Sequence, residues 1–446
     1  MWGVDDLKEI NLALDLCLRI GEMLMSSGAG AADVRVTMEA VAVHLGLRHV
    51  EVDVTFTSLQ MAHQYDPEAP PVVQMRLVKQ RDIDYEDLTA TDHLVRDLLL
   101  DRADLYTART RMATIVSMGH PFPRWAVTGA WGVMCATVGI FLGGGVKVAV
   151  VAGLTGMVID RLQLAMQRRR LPFFYQQVSG ALLATLIAVA VAASPLQVDI
   201  SLIVTANIIM LLAGLGLIGA IQDALTGFYI TASARLLEVM LATGGIIAGV
   251  SAGLTVADMS GLDVGTLVPG RALAETAPVL VVCGALAAAA FAFASYAPRR
   301  ALLPIAVVTA AASLIHHVLL LQGVGRTWSA AVAAFFVGLV AFSVAGRVRV
   351  PPLVVIVPGI VPFLPGLSIY RGLSLLAAGG PGTTEGILAM MTAASTAVSL
   401  SSGVILGEYV AQPLKRTSRK LESRLAGPRL VGPLRPRGRR PRSAVG

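Results

Sequence analysis

From Trp125 onward the chain repeats one pattern: apolar runs separated by short polar breaks, at 125–142, 146–160, 173–193, 201–222, 231–254, 278–296, 301–321, 328–346, 351–370 and 386–410. Most approach the ~20 residues a helix needs to cross a bilayer. The run 146–160 is short and carries Lys147. It counts as a crossing because only then do the loop charges sort by side. Before Trp125 the periods differ. Over 5–25, Leu7, Ile10, Leu14, Cys17, Leu18 and Met25 recur at helical spacing, and Ser26-Ser27-Gly28-Ala29-Gly30 breaks the pattern. A second helix over 31–45 turns Val34, Met38, Val41 and Leu45 inward. Val50, Val52, Val54 and Phe56 then alternate with polar residues, which predicts a half-buried strand. Residues 72–79 read as its partner, across a loop with Pro67, Pro70 and Pro71, and two more helices follow near 84–100 and 103–118.

Composition agrees with this division. Of 446 residues, 55% are hydrophobic and 15% charged, whereas soluble domains carry about 25% charged residues. Charge is spread unevenly: residues 1–120 are net −8, 121–410 net +5, and 411–446 net +10. These numbers exclude a disulfide scaffold, a collagen-like chain and a wholly disordered one. The pattern therefore predicts a mainly α membrane protein. An α+β domain over 1–120 precedes a first five-helix half over 121–255, an extracytoplasmic loop over 256–277, a second half over 278–410, and a basic disordered tail over 411–446.

The first residues, MWGVDDLKEI, lack the basic start of a secretory signal, so the front domain is expected in the cytoplasm. Inner loops then hold Arg161, Arg168, Arg169, Arg170, Arg299, Arg300, Arg347 and Arg349, against Lys147, Arg271, Arg326 and Arg371 outside. That bias fits the positive-inside rule for a multi-pass plasma-membrane protein with both termini cytoplasmic. The tail carries no aromatic residue to stack bases, so its expected partner is anionic lipid rather than nucleic acid. Homo-oligomerisation stays open. Cys17, Cys135 and Cys283 are far apart and read as small buried hydrophobes.

Ten crossings divide into five and five, and because five is odd the second set enters the membrane from the opposite side. This is the inverted-topology plan of many secondary transporters. A weak echo accompanies it: Gly214, Asp223 and Gly227 in the fourth run match Gly359, Ser368 and Gly372 in the ninth. The ninth run, PPLVVIVPGIVPFLPGLSIYRG, holds Pro358, Pro362 and Pro365 beside Gly359 and Gly366. Each proline removes a donor and clashes with the preceding turn. A broken helix in a membrane must line protein or water, and a half-helix N-terminus offers unpaired amides to an anionic group. In the fourth run Asn207, Gln222 and Asp223 are the polar candidates, and Arg235 and Glu238 follow one turn apart in the fifth. Buried charge there reads either as a functional site or as a pair, Arg235 with Glu238 or with Asp223, that locks two helices.

His316 and His317 sit deep in the seventh run, about 100° apart on a helix, so they cannot share one ion. They read as proton carriers or as hydrogen-bonded structural groups. Asp160 and Glu408, near cytoplasmic ends, are expected to reach water. No HExxH, GxSxG, P-loop or CxxC pattern occurs, and His44, His49, His63 and His93 have no ligand spacing. An enzyme, a metal and a cofactor are therefore not expected.

Over residues 8–411 the chain resembles the threonine/serine exporter family. The resemblance rests on SSGAGAADVRVTMEAVAVHLGL with the following VEVDVTFTSL. It rests also on Gly214, Asp223, Gly227 and Arg235, with Ala213 where the family has proline, and on Pro358, Gly359, Pro362, Pro365, Gly366 and Tyr370. It implies an N-terminal cytoplasmic domain, ten helices, and export of threonine and serine driven by protons or membrane potential. Split relatives are linked to dicarboxylates, so a succinate-like substrate is the alternative, as is a membrane-anchored enzyme with a catalytic front domain. The expected site lies between the fourth and ninth runs. Freed amides of the ninth hold the carboxylate, Asn207, Gln222 or Asp223 holds the ammonium or hydroxyl, and Asp223, Glu238 or a histidine carries the proton.

Overall fold

The computed structural model describes residues 4–422 apart from 65–67, 69, 79–82, 118, 121, 195–197, 199, 212–213, 260–276, 366–367, 370, 373–374 and 377–381. It forms two compact units, one built on Met1–Gly119 and one on His120–Glu422.

The first unit runs α1 (Val4–Ser26), α2 (Ala31–His44), β1 (Val50–Val54), β2 (Ser58–His63), β3 (Val72–Leu77), α3 (Tyr85–Leu99) and α4 (Leu105–Ser117). Gly28, at φ +91°, ends α1: the Ala29 N–H donates to Leu24 O at 3.0 Å and that of Gly28 to Met25 O at 3.2 Å. The α1 stripe is buried as expected, except that Leu7 is exposed. Leu14, Cys17, Val34, Met38, Val41, Leu59 and Met61 form the core between α1, α2 and the sheet.

The sheet differs from the sequence expectation. Its order is β1-β2-β3, all antiparallel, so 50–54 pairs with 58–63 and only the latter pairs with 72–77. A tight turn makes this possible: the Thr55 N–H donates to Ser58 O at 2.9 Å, and the Ser58 N–H to Thr55 Oγ1 at 3.2 Å. Because Ser, Gln, Ala and His dilute its alternation, SLQMAH hid its inward Leu59, Met61 and His63.

The second unit runs α5 (Arg124–Phe141), α6 (Val146–Arg168), α7 (Phe173–Ala192), α8 (Ile200–Leu211), α9 (Gly214–Leu225), α10 (Tyr229–Met259), α11 (Ala277–Ala294), α12 (Arg299–Leu321), α13 (Arg326–Val348), α14 (Leu353–Ile360), a 3-10 turn (Val361–Phe363) and α15 (Thr383–Glu422). Among the described residues, seven helices are long and apolar enough to cross a membrane: α6, α7, α10, α11, α12, α13 and α15. The bent pair α8 and α9 makes an eighth if it is one span. α5 has 18 residues and opens on Arg124, and Leu353–Phe363 is shorter still.

Two ends differ from the sequence pattern. α6 continues past residue 160 to Arg168, because Leu, Gln, Ala, Met and Arg all favour helix and the first breaker is Pro172. α15 likewise continues beyond 410 to Glu422, so the first part of the basic tail is helical.

The helices of the second unit pack in two sets by the same scheme. In the first set α5 packs on α6 and α8, α6 on α7 and α8, and α7 on α8 and α10. In the second α11 packs on α12 and α14, α12 on α13 and α14, and α13 on α14 and α15. α5 also packs on α11, and α9 on α15. Small residues set the closest approaches. Gly245, Gly249 and Gly253 of α10 face Phe174, Val178 and Thr185 of α7, while Gly403 and Gly407 of α15 face Ala331 and Phe335 of α13. Missing side chains let these backbones touch, and dispersion then holds helices together where lipid removes the hydrophobic drive.

Candidate functional site

A deeply buried charge pair lies where α9 hands over to α10. α9 ends on Gly227, at φ +92°, with the Phe228 N–H donating to Asp223 O at 2.8 Å and the Gly227 N–H to Ala224 O at 3.2 Å. This closure needs a residue tolerant of positive φ, which glycine supplies. It folds α10 back along α9, so that Arg235 Nε reaches Asp223 Oδ2 at 3.1 Å, with side chains 9% and 1% exposed. Gly219, one turn before Asp223, makes room for the guanidinium: a Cβ there would lie 2.5 Å from Arg235 Nη1. Of the two pairs the sequence left open, the structure forms Asp223 with Arg235. Glu238 is half-buried on α10, and Gln222 is half-buried beside Asp223.

The fourth run is bent although it contains no proline. Ile200–Leu211 and Gly216–Leu225 meet at 45°, and the glycines of this stretch, Gly214, Gly216 and Gly219, are poor helix formers. Asn207 lies on α8, before the bend, apart from the charge pair. It is fully buried; Nδ2 donates to Ile203 O at 2.9 Å and Oδ1 has no hydrogen-bond partner. That oxygen faces Gly156 of α6, next to Cys135 of α5.

The ninth run is broken. α14 stops at Ile360, the chain tightens into the 3-10 turn Val361–Phe363, and it leaves helical geometry at Leu364. Pro358, Gly359 and Pro365 are buried and Pro362 is half-buried. Gly359 lies against Val337 of α13. Gly366 and Tyr370 lie outside the described residues. Next to the break, the His316 ring is 5.2 Å from that of Phe363. His316 and His317 are half-buried and near the C-terminal end of α12 rather than deep within it. α14 packs on α11, α12 and α13, and α8 on α5, α6 and α7. Each interrupted helix is thus enclosed by its own set.

A second polar cluster contradicts a sequence expectation. Asp160 does not reach water: its side chain is 5% exposed, and it accepts from Arg124 Nη2 at 2.7 Å and from Thr128 Oγ1 at 2.7 Å. Arg124 Nη1 also contacts the Tyr296 hydroxyl at 3.4 Å, and Tyr296 stacks on His120. The cluster ties α5 and α6 to the turn between α11 and α12. Its only sequence signal is an arginine just before one apolar run and an aspartate at the end of the next.

Among the described residues no group of three or more His, Cys, Asp or Glu side chains is placed to hold a metal ion. His44 pairs with Asp101 at 3.3 Å, while His63 is buried on β2. Burial pushes the Asp92 carboxyl up to about 6, with Arg96 opposing, and the Cys17 thiol up to about 12. Cys17 is accordingly unreactive packing. A cleft of about 430 Å³ beside the sheet is lined by Arg35, Glu51, Asp53 and Gln60, among others.

Two family profiles match the chain. One described as "Putative threonine/serine exporter" covers residues 15–257, and one described as "Threonine/Serine exporter" covers 280–410. A "Probable threonine/serine exporter" of Mycobacterium tuberculosis is 35% identical over 93% of this chain and 79% of its own length. A "Threonine/serine exporter" of Corynebacterium glutamicum is 33% identical over 93% of this chain and 85% of its own. No solved structure matches.

Proposed function

This chain belongs to the threonine/serine exporter family, and on that premise we propose that it is a secondary transporter moving threonine and serine out of the cell. The observation that carries the reading is the repeated packing scheme: two sets of helices, each enclosing one interrupted helix. A carrier needs a site that faces either side in turn, and two like halves that rock about interrupted helices supply one.

In this reading the chain crosses the membrane ten times as a 5+5 inverted repeat. α5 and the broken ninth run supply the crossings that length and composition do not. The arginine bias of the loops supports cytoplasmic termini, with the basic tail against anionic lipid. Amides left without helical partners at the ninth-run break hold the substrate carboxylate. Asn207 Oδ1, buried and unpaired, accepts from the ammonium or hydroxyl. Asp223 carries the coupling proton, with Arg235 as its counter-charge, and Glu238 stands one turn further along α10.

Counterflow in proteoliposomes tests this. Vesicles loaded with unlabelled threonine should accumulate trace labelled threonine, and external serine should compete it away. Accumulation of succinate alone would move the chain to a dicarboxylate substrate; silence with folded protein would end the carrier reading. If Asp223→Asn and Glu238→Gln both left the pH dependence of transport intact, the carboxylates would lose their assigned role.

A further inference from the structure

Hydroxyls inside this helical unit generally return to their own backbone. Thr185 donates to Ala181 O, Thr243 to Val239 O, Thr309 to Ile305 O and Ser401 to Ala397 O, each at 2.7–2.9 Å. Ser313 on α12 does not. Only 4% of the residue is exposed, and its Oγ has no hydrogen-bond partner. Leaving a buried hydroxyl unpaired costs about 1–3 kcal/mol. Thr309, one turn earlier on the same helix, closes the usual bond, so the helix itself does not forbid it.

The orphan hydroxyl has a definite direction. It faces Gly284 of α11: a Cβ built on that glycine would lie 2.6 Å from Ser313 Oγ and 3.8 Å from Pro362 Cγ. Gly284, Ser313 and Pro362 therefore meet where three helices of one set surround the ninth-run break. One turn along α12, His316 Nδ1 is also buried without a partner, and its ring lies against Phe363. Gly284 and Pro362, which meet Ser313 at this point, carry no charge, so it suits a neutral part of a ligand.

We infer that this junction of α11, α12 and the ninth run is the subsite for the side-chain hydroxyl of a hydroxy amino acid, with Ser313 Oγ as the specificity-determining contact. The inference rests on the export reading and deepens it. A serine hydroxyl both donates and accepts, so it can pair with another hydroxyl in either sense. Because Gly284 has no side chain, Ser313 Oγ packs on its backbone, and Pro362 beside that glycine is apolar and suits the carbon that bears a ligand hydroxyl. A site built to bond a hydroxyl discriminates against an analogue lacking it, because its own polar group is then left unpaired.

The test uses full-length protein in proteoliposomes and compares threonine with 2-aminobutyrate, which lacks only the hydroxyl. Wild type should prefer threonine by roughly tenfold, the effect of one well-made hydrogen bond. Ser313→Ala should raise the threonine KM about tenfold, leave 2-aminobutyrate within about twofold, and so abolish the preference. Ser313→Thr, which keeps the hydroxyl, should retain the preference. Ser313→Cys gives a readout that needs no transport: threonine should slow its labelling by a small methanethiosulfonate, relative to the wild-type background. Unchanged discrimination in Ser313→Ala, or labelling of Ser313→Cys that threonine leaves unaffected, overturns the subsite while the export reading stands. Wild-type protein that fails to counterflow threonine overturns the export reading and the subsite with it.

Discussion

At the junction of α9 and α10, Asp223 and Arg235 are shut away with side chains 1% and 9% exposed. In the second set Arg371, past the ninth-run break, and Glu385, in the first turn of α15, approach to 3.4 Å but remain 50% and 66% exposed. The interrupted helices differ in the same sense. α8 and α9 bend without proline and carry buried charge nearby, whereas the ninth run is broken by Pro358 and Pro362 and carries no charge within Leu353–Phe363. Like packing with unlike chemistry argues that the two regions share a scaffold and divide the work. On the proposed mechanism, charge is handled in the first, and backbone amides and neutral contacts are offered in the second. A buried ion pair is poor value for stability alone, since a hydrophobic pair often does as well.

That division is broken most forcefully at the charge pair. Asp223→Ala leaves the Arg235 guanidinium uncompensated and should cost about 3–5 kcal/mol in thermal unfolding of the purified protein. Asp223→Leu combined with Arg235→Met should recover most of that loss yet stay silent in threonine counterflow. A double variant that transports would make the pair a structural lock and nothing more.

The second region is tested by removing a break instead of a charge. Pro362→Ala restores an amide donor and relieves the clash with the preceding turn, so it should not lower the unfolding temperature. Counterflow should nevertheless fall tenfold or more, about 1.4 kcal/mol in rate terms. Loss of transport without loss of stability marks a helix interrupted for function.

The shared scaffold is probed at its closest approaches. A Cβ at Gly249 would meet the Val178 carbonyl, and one at Gly407 the Phe335 carbonyl. Gly249→Ala and Gly407→Ala should each destabilise by about 1–3 kcal/mol in the same unfolding assay. Similar costs support one architecture used twice. A cost in only one region would break the parallel.

The contrast between regions also marks what the sequence can tell. The apolar runs are legible because a membrane helix must be apolar over its whole length, and the ninth-run break because Pro358 and Pro362 act on the backbone whatever surrounds them. Asp223 and Arg235 stand out because charge in an apolar run is rare. Their pairing, however, depends on the Gly227 closure and the space at Gly219, which are three-dimensional facts. Asp160 differs from the sequence expectation for that reason: α6 runs on to Arg168, and closeness to the end of an apolar run says nothing about Arg124 and Thr128 arriving from α5. Ser313 gave no signal, since a serine in an apolar run looks the same whether its hydroxyl bonds its own helix or faces Gly284. Strand β2 was hidden by dilution, with a serine, a glutamine and a histidine breaking an alternation that the antiparallel register enforces.

The smallest effect is expected at the exposed pair, and there the comparison is sharpest. Arg371 and Glu385 interact in high dielectric, lose side-chain entropy on pairing, and are screened by salt. Arg371→Ala should therefore change the unfolding free energy by less than about 1 kcal/mol, and raising the salt concentration should erase even that. If the two pairs were chemically equivalent, this variant would behave like Asp223→Ala and abolish counterflow. The expected result is counterflow within about twofold of wild type, because a pair already solvated has little binding energy to lose. A large loss of transport at Arg371, with stability intact, would instead assign charge handling to both regions and replace a division of work with a symmetric pair of gates.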